Sequence, residues 1–65
     1  TQTHASGQAV DILISRKESY RLLKLAFLYG FTGIGIKQHG ENRFIHLDDL
    51  PELETRPRPT IWSYK

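Results

Sequence analysis

A chain of 65 residues without a single cysteine must find its stability outside the usual staple of very small domains. At this size the apolar surface buried on folding barely offsets the conformational entropy lost. Neither a disulfide framework nor a thiolate zinc site is open to it. If a metal supplies the staple, its ligands are His, Asp or Glu. Hydrophobic content of 38% and charged content of 25% set the chain apart from disordered sequences, so one folded domain over residues 1–65 is expected.

Charge narrows the functional classes. Nine Lys and Arg against seven Asp and Glu leave a net +2, spread along the chain with no basic stripe and no interleaved aromatics, which argues against nucleic acid. No apolar run approaches the length of a membrane span, and TQTHASGQ lacks the basic and apolar regions of a signal peptide. The oligomeric state is not legible in the sequence.

Periodicity places the elements. QAVDILIS, from Gln8 to Ser15, alternates Val10, Ile12 and Ile14 on one face with Ala9, Asp11 and Leu13 on the other, the pattern of a strand. Ser15 and Glu18 have capping-box spacing, and Gly30 is placed as a C-terminal stop, which predicts a helix from Arg16 to Tyr29. Tyr20, Leu23 and Phe27, flanked by Leu22, Ala26 and Tyr29, are its expected core stripe. FTGIGIK and RFIHL, separated by His39-Gly40-Glu41-Asn42, predict a β-hairpin. DDLPELETRPRP predicts a proline-broken surface loop, and Ile61, Trp62 and Tyr64 are expected to close the core as a short edge strand.

Three residues carry metal chemistry. His4 and Asp11 lie in a His-x-x-Gly-x-Ala-x-Asp string, where Gly7 permits the bend that brings a turn histidine to a strand aspartate. Ala9 leaves room beside the Asp11 carboxylate. An aspartate flanked by Val10 and Ile12 needs a partner if it is buried; the alternative is an edge-strand Asp facing water. His46, in RFIHLD, shares a strand face with Phe44 and Asp48, while Ile45 and Leu47 face the core. Two His and one Asp form the three-ligand set of a catalytic zinc, with a position left for water.

The string around His4 and Asp11, then a helix, GFTGIGI, FIHLD and a terminal WSY together resemble the zinc D-Ala-D-Ala carboxypeptidase family, subfamily A, over nearly the whole chain. The resemblance implies a zinc peptidase hydrolysing peptidoglycan stem or cross-link peptides, with Zn2+ on His4, Asp11 and His46. It implies an α+β fold, a small antiparallel sheet with one packed helix, like that of the hedgehog signalling domain and the DD-peptidases. It further implies work in the periplasm, outside the cell at the wall, or delivered by a phage as an endolysin. Gln2 stands where the family has Ser, and the family's upstream segment, with its substrate-binding Arg, has no counterpart in this sequence, so the chain is expected to be the C-terminal, metal-binding half. Arg56 and Arg58 are the only substitutes for that Arg.

A peptidase also needs a general base. Wider relatives carry Glu three residues before the last histidine, where this chain has Arg43. Asp48, Glu41 and His39 are the remaining candidates, with Asp48 equally suited to orienting His46 from behind. The competing class is a non-catalytic zinc-stabilised binding module of the same fold.

Overall fold

The computed structural model describes residues 7–65 and orders them as β1 (Ala9–Leu13), α1 (Arg16–Leu28), β2 (Gly33–Lys37), β3 (Phe44–Asp48) and β4 (Thr60–Ser63). This is a small α+β fold, a four-stranded sheet with one helix on it. Strand order is β1-β3-β2-β4. Both β1 and β2 run antiparallel to β3, so α1 is the crossover of a split βαβ unit.

The fourth strand departs from the expected antiparallel sheet. β3 is already paired on both sides, so β4 adds at a sheet edge, and it takes the outer edge of β2, in parallel. The cause lies in the loop before it. Asp48 and Thr60 both pair with Gly33, so the loop over residues 49–59 leaves and re-enters at the same end of the sheet. β4 must then run opposite to β3, which makes the sheet mixed.

Alternation divides the strands between two faces. On one face Ile34, Ile45 and Leu47 are buried with Ala26 of α1, and Ile12, Ile36, Leu22, Leu23 and Phe31 pack around them. Full burial of Ile34 and Ile45 stabilises the fold by roughly 1.5–3 kcal/mol each. The helix presents Ser19, Leu22, Leu23 and Ala26 to this core, a stripe rotated from the one expected. Tyr20, Phe27 and Tyr29 are exposed. Small residues at 19 and 26 let the helix approach the sheet, which a tyrosine or phenylalanine there would prevent.

The ends of α1 are stopped by different means. At the C-terminus Gly30, with φ of 84°, lets Phe31 donate to Ala26 O and Gly30 to Phe27 O, the Schellman pattern. At the N-terminus the expected capping box is not formed: the Ser15 side chain makes no cap bond, and Glu18 pairs with Arg21. Arg16 sits at φ 57°, and its N–H is taken instead by Gln38 Oε1 at 3.1 Å. The same oxygen accepts from Ser19 Oγ, and Gln38 Nε2 donates to Ile14 O. The hairpin therefore caps the helix.

Ile61 is exposed and does not close the core. Trp62 and Tyr64 belong to the opposite face, on which Tyr64 packs tilted against Phe44 at 5.0 Å and edge-on to Trp62 at 6.3 Å between ring centroids.

Candidate functional site

The face turned away from α1 holds the polar chemistry. Strand register sets Asp11, His46, Gly35 and Trp62 in one row across all four strands. The next row runs Ala9, Asp48, Gly33 and Thr60. The two glycines have a steric purpose. A Cβ on Gly35 would stand 2.6 Å from the Trp62 indole, and one on Gly33 would collide with the Asp48 carboxylate. Trp62 consequently lies over β2 and reaches the His46 ring at 5.2 Å.

His46 is held between two carboxylates. Its Nδ1 is 2.8 Å from Asp11 Oδ1 and its Nε2 is 2.7 Å from Asp48 Oδ2. The two acids differ in surroundings. The Asp11 side chain is 65% exposed on the edge strand, whereas that of Asp48 is 0% exposed. Burial pushes the Asp48 carboxyl up, but the hydrogen bonds from Arg58, His46 and the Leu50 N–H, with the Arg58 charge, outweigh it and hold the group at about 2. The same bond to Asp48 raises Arg58 above its ordinary value.

Arg58 is the residue that sequence reasoning misplaced. It reads as a substitute clamp for a substrate carboxylate, yet its Nε donates to Asp48 Oδ1 at 2.8 Å and its Nη2 to Asp48 Oδ2 at 2.6 Å. The guanidinium also lies over Trp62, at 5.3 Å from the ring centroid. Arg56 is committed too, donating through Nε and Nη2 to Pro51 O. Neither guanidinium is left to hold a substrate. The reason is proximity: the loop returns to the Gly33 end of the sheet, where a buried carboxylate needs a cation more than solvent does.

The remaining expected site residues are placed as follows. Gly7 adopts φ 65°, the bend anticipated before β1, and a Cβ there would meet Asp49 O at 2.7 Å. His4 lies outside the described residues. His39 and Glu41 sit in the β2–β3 turn, where His39 Nε2 meets Tyr64 O at 3.1 Å and the Glu41 carbonyl accepts from Lys37 Nζ. Among the described bonds neither reaches Asp11, His46 or Asp48.

The donor set fits a cation at the Asp11–His46 contact. At 2.8 Å the ring nitrogen and the carboxylate oxygen share a proton in a direct hydrogen bond, and with that proton removed they are the nitrogen and oxygen donor types that zinc takes. Asp48 satisfies the other ring nitrogen, as a carboxylate behind a metal-bound histidine does. Among the described residues no three His, Cys, Asp or Glu side chains converge as a complete ligand set. Also among the described residues, no helix is long and apolar enough to cross a membrane. Comparison of the chain with protein-family models, curated proteins and solved structures finds no match.

Proposed function

We propose that this chain is a zinc-dependent peptidase of the hedgehog and DD-peptidase type, binding Zn2+ through His4, Asp11 and His46 and acting on peptidoglycan stem or cross-link peptides. Its place of action on this reading is the cell wall, reached through the periplasm, by secretion or by phage delivery. The observation that carries the reading is the Asp11–His46 contact on the open face of the sheet, backed by the buried Asp48. When bound, zinc supplies Lewis-acid polarisation of the peptide carbonyl and an activated water. The chain's own residues do the rest: Asp11 and His46 hold the ion, and Asp48 orients the His46 ring. The row of Trp62, Tyr64 and Phe44 offers an apolar wall beside the site.

One observation favours the non-catalytic zinc-stabilised module as the second reading. Asp48 is fully buried and shared by His46 and Arg58, so it is poorly placed to carry a proton to a leaving amine. His39 Nε2 meets Tyr64 O, and Glu41 stands in the exposed turn between β2 and β3, with no described bond to Asp11, His46 or Asp48. The test is elemental analysis of the chain purified without chelator, with release of D-Ala or a stem fragment followed in the presence and absence of EDTA. One zinc per chain with chelator-sensitive cleavage is the expected result. One zinc without cleavage selects the binding module, and absence of zinc overturns both.

A further inference from the structure

The loop between β3 and β4 carries a guanidinium onto the back of the histidine site, and nothing in a solvated surface loop requires it there. Asp48 has two carboxylate oxygens with three donors and the His46 Nε2 around them. Oδ1 accepts from Arg58 Nε at 2.8 Å and from the Leu50 N–H at 3.3 Å. Oδ2 accepts from Arg58 Nη2 at 2.6 Å and lies 2.7 Å from His46 Nε2. A planar fork on a carboxylate fixes both its position and its plane, which a point charge does not. With both Asp48 oxygens taken as acceptors by the Arg58 fork, Oδ2 faces His46 as an acceptor, so the hydrogen of that 2.7 Å contact belongs to His46 Nε2. The choice is made on the buried side of the ring, leaving Nδ1 as the nitrogen facing Asp11 and the open face.

We propose that Arg58 is a positioning residue: through Asp48 it commits His46 Nε2 as a donor and so selects Nδ1 as the nitrogen that binds on the open face. The chain of contacts has a steric precondition in Gly33, because a Cβ there would occupy the space of the Asp48 carboxylate. Trp62 closes it from above, with Arg58 at 5.3 Å and His46 at 5.2 Å from its rings. The role concerns the ring and its carboxylate whether or not zinc is bound, and only its consequence for affinity rests on the function proposed above.

The experiment reads the His46 Nε2–H directly by nitrogen-15 spectroscopy on the zinc-free chain, together with zinc affinity by titration calorimetry. In the parent chain the Nε2–H should be visible and slow to exchange with water. In Arg58→Ala, with the amide spectrum showing a folded chain, its exchange should speed up at least about tenfold, and the zinc Kd should rise by roughly 10- to 100-fold, the range of lost outer partners of metal ligands. Trp62→Phe keeps the Arg58–Asp48 fork and should keep the slow Nε2–H. If Trp62→Phe loses it as fully as Arg58→Ala, general loosening is the cause and the assignment falls. Parent-like exchange in folded Arg58→Ala, or a parent chain with its hydrogen on Nδ1 alone, also overturns it. Should Arg58→Ala not fold, Arg58→Lys, which retains charge without the fork, is read by the same criteria. A chain that takes no zinc but loses its Nε2–H in Arg58→Ala refutes the metal reading and leaves the positioning role standing.

Discussion

The two faces of this sheet are built by opposite rules. The face under α1 is filled by side chains that need no particular partner: Ile34, Ile45 and Leu47 are buried because they alternate inward, and Ala26 lets the helix come close. The open face is filled by side chains that each need one specific partner. Asp48 needs Arg58, His46 needs Asp48 and Asp11, and Trp62 needs a glycine beneath it. Apolar burial is non-directional and roughly proportional to area, whereas a buried carboxylate is costly unless its hydrogen bonds are complete. One face can therefore be repacked and still hold the fold, while the other loses its chemistry with the loss of a single member.

Substitutions on either side can break that comparison. Ile45→Ala, at a fully buried position, should cost about 2–5 kcal/mol by chemical denaturation, a large share of the stability of so small a domain. A cost below about 1 kcal/mol would mean that the helix-covered face is not the main source of stability. Gly33→Ala should show the reverse signature. It displaces the Asp48 carboxylate, costs about 1–3 kcal/mol as overpacking does, and weakens zinc binding by roughly 10- to 100-fold. Unchanged metal affinity in that variant would separate Asp48 from the site. The smallest contrast lies at the helix start. Gln38→Ala removes the partner of the Arg16 N–H and of Ile14 O and should cost about 0.5–1.5 kcal/mol. Ser15→Ala removes no cap bond and should stay within about 0.5 kcal/mol. Equal losses from the two would place the cap back on Ser15.

Local periodicity makes the helix-covered face readable in the sequence. The alternation of β3 put His46 and Asp48 on one side and Ile45 and Leu47 on the other, and the register with β1 brings Asp11 to His46. The helix and its glycine stop were equally legible, because a 3.6-residue repeat and a left-handed terminator lie within a few positions of each other. Of the stripe that spacing predicts, Leu22, Leu23 and Ala26 face the core while Tyr20, Phe27 and Tyr29 are exposed. Ser19 joins Ala26 as a buried helix residue, since close approach to the sheet favours small side chains. The two glycines of GIGIK were visible as interruptions of a strand, which is the signal of a close neighbour, but not of which neighbour.

By itself the sequence determined what depends on near neighbours along the chain: strand faces, the helix with its C-terminal stop, the hairpin, and the juxtaposition of Asp11 with His46 once β1 and β3 pair. Only the tertiary structure decided that β4 lies parallel to β2, that Gln38 rather than Ser15 caps α1, that Trp62 rests on Gly35, and that Arg58 serves Asp48 rather than a substrate. Each of these joins groups whose meeting depends on where a loop returns, and loop closure leaves no period in the sequence. The residue types supply the chemistry, and the path of the chain over residues 49–59 decides which carboxylate receives the guanidinium.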